Sequence, residues 1–399
     1  MSEPILIAGG GLGGATTALA LARKGFDVRI LEEASEFGVI GYGIQLGPNV
    51  FSMLDRLGLV DAVMASAIRP KSLKMLDWVD GGVITQVPTG DSFVKRFKWP
   101  YVVIHRVDLH QAILAACRTL GNVEMMANAS VTAFADEGAC VRVQLADGRE
   151  LTGAALIGAD GLRSTVRQQM RDEGPPRTIG YVAHRTIVPM DEVKFDVDRD
   201  DVVLWSGDGF HIVHYPLRDH SLFNVVTVFK TKNMEPTDTE SPHPDLAHVY
   251  RDAHPTMKNL WAMMDLSRRG WVSSDRDPIR HWSKGRVTLL GDAAHPTLQT
   301  LAQGACMAIE DAVCVAHMLD GTQGDSVADA FQQYVRARYL RTARVQYESR
   351  YHWDNWYHAG GIEREVARAT WSVRGEQEMF DCLAWLYDGF ALPKKREAA

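Results

Sequence analysis

Pro4-Ile5-Leu6-Ile7-Ala8-Gly9-Gly10-Gly11-Leu12-Gly13-Gly14 opens the chain with a short apolar run that ends at a cluster of glycines. The run is too short for a helix, so Pro4 to Ala8 reads as a buried parallel strand. From Ala15 to Arg23 the apolar Ala15, Leu19 and Ala22 recur at three- and four-residue intervals, and Gly25 stands where a helix would stop. A second strand, Asp27 to Leu31, ends at Glu32-Glu33. Strand, glycine turn, helix and strand together form a nucleotide-binding unit.

Each part of Gly9-x-Gly11-x-x-Gly14 has a job. Gly9 permits the tight turn, Gly11 lets the backbone approach a pyrophosphate, and Gly14 lets helix and strand pack closely. The helix N-terminus supplies unpaired N–H groups, and Glu32 is placed to accept from ribose hydroxyls. The motif predicts a dinucleotide and does not by itself separate FAD from NAD.

The rest of the chain sets limits. With 399 residues and 46% hydrophobic composition there is material for two cores. The formal charge of −7 is spread without a basic run, which argues against a nucleic-acid partner. Cys117, Cys140, Cys306, Cys314 and Cys382 are widely spaced with no C-x-x-C pair, so neither a metal site nor a redox dithiol is expected. No apolar run is long enough to span a membrane, and the N-terminus reads straight into a strand, as expected of a cytoplasmic protein.

Further along, helices are expected over Val50 to Leu57 and Val107 to Leu120, with hairpin strands at Val131 to Phe134 and Val141 to Leu145. After Gly174-Pro175-Pro176 the texture changes to the aromatic-rich strands Val182 to Val188, Val202 to Trp205 and Phe210 to Tyr215, followed by a surface loop over Met234 to Pro244. Strand texture like that of the start returns at Val287 to Leu290, ahead of a helix from Ala305 through Met318. The expected fold is α/β: a Rossmann-like domain (1–75, 100–175 and 278–327) interleaved with a mostly antiparallel substrate domain (76–99 and 176–277). The aromatic-rich helical region 328–399 shows no core of its own and is expected to pack on the rest or to form a homodimer contact.

Two further motifs echo the first. Ala155-Leu156-Ile157-Gly158-Ala159-Asp160-Gly161 is a strand running into an Asp-Gly turn, with Arg163 and Arg167 beyond it. Taken alone, Asp-Gly is a common turn pair. Val287-Thr288-Leu289-Leu290-Gly291-Asp292-Ala293-Ala294-His295-Pro296 is another strand ending in Gly-Asp, continuing through Gln299 and Ala302-Gln303-Gly304 into a helix that carries Glu310-Asp311. A carboxylate there suits a polyol such as a ribityl chain, or else an N-cap.

In this order the three motifs resemble the single-component FAD-dependent aromatic hydroxylases, the family of the para-hydroxybenzoate and salicylate hydroxylases, from about Pro4 to Leu319. The resemblance implies tightly bound FAD, held by Gly9, Gly11, Gly14, Glu32, Gln45, Arg106, Asp160, Asp292 and Gly304. It also implies O2 as co-substrate and NADH, or else NADPH, as a visiting reductant, since no second nucleotide fingerprint occurs. Glu33 departs from the family, whose members often carry a basic residue there.

Phe210-His211-Ile212-Val213-His214-Tyr215-Pro216 is the place to look for a base. Residues two apart on a strand share a face, so His211, Val213 and Tyr215 point one way and His214 the other. Histidine's ordinary titration near neutrality suits removal of a phenolic proton. This segment, Gln299, Pro100-Tyr101 and Gly41 to Asn49 resemble the branch of the family that turns 3-hydroxybenzoate into gentisate. On that resemblance His211 and Gln299 act on the hydroxyl of a small aromatic hydroxy acid, and Tyr101 and Tyr215 line its pocket. Arg185 is a candidate for the substrate carboxylate. A salicylate or 6-hydroxynicotinate hydroxylase, a flavin reductase and a non-catalytic flavin-binding protein remain the alternatives.

Overall fold

The computed structural model describes residues 3–38, 41–233, 235–237, 240, 246–266, 270–322, 324 and 326–394. Its first sheet has six strands in the order 283–284, 287–289, 155–158, 5–8, 28–31 and 123–126. All but the short edge strand run parallel. Their central residues, Leu6, Ile7, Leu156, Ile157 and Leu289, are fully buried, as apolar runs covered on both faces must be. Because the strands are parallel, Gly9, Glu32, Ala159-Asp160 and Leu290-Gly291-Asp292 all leave from the same edge of the sheet. Sequence positions far apart thereby meet at one crevice, the place where open α/β sheets bind ligands.

The glycine turn behaves as its spacing predicts. Gly9 has φ +98°, a conformation costly for any residue with a Cβ. A Cβ on Gly14 would sit 1.9 Å from the carbonyl oxygen of Gly9, so only glycine lets the helix Leu12–Ala22 press onto the strand. That helix is apolar nearly all round and is clamped between the sheet and the helix Gly304–Leu319.

The second sheet has seven strands in the order 271–275, 177–189, 222–230, 210–217, 202–207, 72–77 and 83–88. It is antiparallel except where 202–207 meets 72–77. It takes up the chain at Ser72, ahead of the boundary at 76 expected from sequence. The helices Leu246–Asp252 and Pro255–Ala262, absent from the sequence reading, cover one face and close a separate core around Phe210, Phe223, Phe229 and Trp261. The hairpin residues 131–136 and 141–145 join 150–153 in a small three-stranded sheet of their own. Much of the expected loop at Met234 to Pro244 lies outside the described residues.

The C-terminal region is a 27-residue helix, Ser326–His352, a π turn, Trp353–Tyr357, and the helices Gly361–Trp371 and Glu376–Tyr387. It has no core of its own: Phe331, Tyr334, Phe380 and Tyr387 pack into the core of the first sheet. Arg364 grips the fully buried Asp77 with two hydrogen bonds of 2.8 and 2.5 Å, tying the region to the second sheet as well.

Candidate active site

A continuous cavity of about 920 Å³ follows the strand-end edge of the parallel sheet and extends beneath the second sheet. Every candidate residue except Gly14 borders it, and Gly14 is spent on helix–strand packing. At the sheet edge Glu32 accepts from the backbone N–H of Gly10 at 2.7 Å and of Ala34 at 2.9 Å, which braces the glycine turn. The helix that follows has no side-chain cap, and Gly11, Leu12 and Gly13 present its N-terminus to the cavity.

The other two motifs are braced in different ways. Asp160 accepts from Ser164 Oγ at 2.5 Å and from the N–H of Val166 at 3.1 Å, so part of its carboxylate holds its own turn together. Asp292 caps no helix; it sits in a short 3-10 turn with its carboxylate near Gly304, at the uncapped start of the helix Gly304–Leu319. Burial pushes the Asp292 carboxyl up, against the pull of His295 and Arg106. Arg167 donates to the carbonyls of Ala293 and Ala294 at 3.1 and 2.8 Å, locking the second motif to the third.

His211, Val213 and Tyr215 line the cavity, as period-two alternation requires. His214 points the other way and accepts from Trp205 Nε1 at 3.2 Å. His211 is 1% exposed. Its Nε2 lies 3.5 Å from Gln299 Nε2, and its Nδ1 lies 2.8 Å from His358 Nε2. Arg185 donates to Gln299 Oε1 at 3.0 Å, which turns the amide nitrogen of Gln299 toward His211. Burial, with the nearby Arg185 cation, lowers the His211 imidazole to about 3. The expectation of a histidine poised near neutrality is thereby corrected: His211 is a neutral acceptor throughout the physiological range.

Tyr101 donates to Gln45 Oε1 at 2.6 Å, and Gln45 also bonds Tyr215. Gln45 therefore stands among the pocket tyrosines. Burial raises both phenols above their ordinary range, so they remain protonated.

Sequence reasoning missed the far wall. Tyr357, Trp371 and Tyr387 line the cavity, and Trp353 and Tyr357 set their rings edge-on to His211 at 5.6 and 5.1 Å. The aromatic density of Trp353 to His358 was the available signal; it read as packing.

The residues present suit a flavin dinucleotide. Two uncapped helix N-termini and an unobstructed Gly11 backbone face one elongated cavity. The buried Arg106 Nε, also on that cavity, has no hydrogen-bond partner among the described residues.

Comparison with known proteins agrees with this geometry. The FAD binding domain family matches residues 2–349. The chain is 40% identical over 385 residues to 3-hydroxybenzoate 6-hydroxylase of Polaromonas naphthalenivorans (strain CJ2), covering 96% of this chain and 95% of the relative. It is 41% identical over 392 residues to 3-hydroxybenzoate 6-hydroxylase 1 of Aquipseudomonas alcaligenes, covering 97% and 98%. Its fold is similar to that of Klebsiella pneumoniae HpxO complexed with FAD and uric acid, with a TM-score of 0.82 at 23% identity over 96% of this chain and 97% of the other. With three strand-end motifs around one cavity and a match across most of its length, this chain belongs to the FAD binding domain family.

Proposed function

We propose that the protein is an FAD-dependent monooxygenase that hydroxylates 3-hydroxybenzoate para to its hydroxyl, giving gentisate, with NADH and O2. The observation that carries this reading is the buried, neutral His211, with Nε2 turned to a cavity shared with the three FAD motifs. Gly9, Gly11, Glu32, Arg106, Asp160, Asp292 and Gly304 would hold FAD, with Gln45 at the pocket end. When bound, FAD accepts hydride from NADH and activates O2, chemistry that belongs to the cofactor.

The chain's own residues handle the ring. Tyr101 and Tyr215 flank it, and the aromatic wall of Tyr357 and Tyr387 excludes water. Gln299 and His211 Nε2 meet its hydroxyl. A base lowered to about 3 is weak. As the ring gives electron density to the incoming O2-derived oxygen, however, its own hydroxyl becomes steeply more acidic, and the proton crosses to Nε2 in step with that change. Electron release from that hydroxyl oxygen into the ring favours the para carbon.

Arg185 borders the cavity, and no carboxylate pairs with it among the described residues. It is our choice for the substrate carboxylate. Arg185→Gln is expected to raise KM for 3-hydroxybenzoate about 10- to 100-fold, the loss of a charged hydrogen bond of roughly 1.5–3 kcal/mol. KM for the neutral 3-hydroxybenzyl alcohol should change far less; equal changes would remove Arg185 from this role.

The five free thiols suit a reducing cytosol, and the exposed Leu340, Tyr347 and Ile362 suit a homodimer contact. The deciding experiment is product analysis with 3-hydroxybenzoate and NADH or NADPH, oxygen consumption being followed in parallel. Gentisate formed with NADH, matched by oxygen uptake, is expected. Catechol from salicylate with no gentisate from 3-hydroxybenzoate would overturn the assignment, and NADH oxidation without any hydroxylated product would point to a reductase.

A further inference from the structure

His358 stands behind His211 and outside the cavity lining, its ring against those of Tyr181 and Trp353 at 4.6 Å each. Its Nδ1 is 3.0 Å from the carbonyl oxygen of Trp353, and its Nε2 is 2.8 Å from His211 Nδ1. A carbonyl can only accept, so Nδ1 of His358 carries the proton. Among the described residues, the charged side chains acting on the pair are both cations, Lys230 near His358 and Arg185 near His211, and no carboxylate faces either ring closely enough to stabilise an imidazolium. His358 is therefore neutral and its Nε2 is a lone pair. That lone pair can be satisfied only by an N–H on His211 Nδ1; the opposite tautomer would set two lone pairs face to face in a buried site.

We propose that His358 is a positioning residue for the base: it holds the proton of His211 on Nδ1, so that Nε2 is bare toward Gln299 and the substrate hydroxyl. When the phenolic O–H bond breaks and an Nε2–H bond forms, the electron pair stays on the substrate oxygen. The Nδ1–H···Nε2 bond to His358 then strengthens, because its donor has become cationic. The inference rests on the reading of His211 as the base.

Two variants of similar volume separate positioning from packing. His358→Leu removes the acceptor, while His358→Gln can keep one, because its side-chain carbonyl reaches the place of Nε2. In the FAD-loaded enzyme, His358→Leu is expected to slow single-turnover hydroxylation by about 10- to 100-fold, a fraction of what a wrong base tautomer can cost. FAD content and substrate affinity should be unchanged, and His358→Gln should stay within a few-fold of the parent. Added to His211→Ala, His358→Leu should have no further effect, since the two act as one unit.

The ring tautomer can be read without turnover, from the ring nitrogen shifts of His211 in protein labelled with 15N-histidine. Nδ1–H is expected in the parent and a mixture of tautomers in His358→Leu. Full speed in His358→Leu, equal losses in both variants, an additive loss in the double variant, or an Nε2–H tautomer in the parent would each overturn the proposal. A parent enzyme that shows the Nδ1–H form yet makes no gentisate would instead sink the reading of function and leave the tautomer assignment standing.

Discussion

His211→Ala is expected to slow hydroxylation on the order of 10² to 10⁴-fold while FAD stays bound, the usual cost of losing a general base. The cofactor should stay because Gly9, Gly11, Glu32, Asp160 and Asp292, most of the groups proposed to hold it, follow the strand ends of the other sheet. The acid dependence carries a second signature. Burial, with help from Arg185, holds the folded His211 imidazole at about 3, below its value in an unfolded chain. Stability from this group is therefore fully present above the ordinary imidazole range and is lost as pH falls toward about 3. Activity should accordingly show no acid limb from His211 near neutrality, and the parent should lose stability between about pH 6 and 3 more steeply than His211→Ala. Stopped-flow hydroxylation rates and acid-unfolding curves of the two proteins test this. Unchanged turnover in the variant would remove His211 from the mechanism.

Arg338→Met should destabilise the fold by about 3–5 kcal/mol, the effect of removing one partner from a buried ion network. Arg338, Glu310 and Asp311 are each fully buried. Arg338 donates to Asp311 Oδ1 and to Glu310 Oε2, both at 2.6 Å, while Arg341 and Asn49 hold the rest of Glu310. Burial alone would raise the Asp311 carboxyl, but His295 and Arg338 pull it down to about 2. Its contribution is thus present above the ordinary carboxylate range and is lost as pH falls toward about 2. Asp311 also accepts from the N–H of Gly291, so the damage should reach the third motif and weaken FAD retention. Urea denaturation with flavin release followed in parallel is the measurement; a loss below about 1 kcal/mol would show that the remaining partners compensate.

How far the sequence could be read depended on the range of the interaction behind each feature. Gly9, Gly11, Gly14 and Glu32 were legible because a turn and a close helix–strand contact place local, steric demands on residue type. The side-by-side placement of His211, Val213 and Tyr215 was legible because a strand alternates. The convergence of Asp160 and Asp292 on the first motif follows once the strands are known to be parallel, and residue order supplied the hint. By contrast, the His211–His358 contact joins positions 147 residues apart with no period or spacing to announce it. The displaced titration of His211 escaped for a related reason: burial is a property of the assembled walls, and much of that wall comes from the chain's last fifty residues. Likewise, Glu310, Asp311 and Arg338 read as ordinary charges on two helices, and only packing turns them into an internal ion network.

The order in which the walls are contributed bears on how the protein is made. A ribosome delivers the glycine turn first, but its companion strand 287–289 emerges after roughly seven-tenths of the chain, and the aromatic wall from Trp353 to Tyr387 later still. Closure of the complete cavity is consequently expected only late in synthesis for this topology. Until the aromatic wall is in place, the apolar surface it covers in the finished protein is expected to stay open to aggregation and to chaperones.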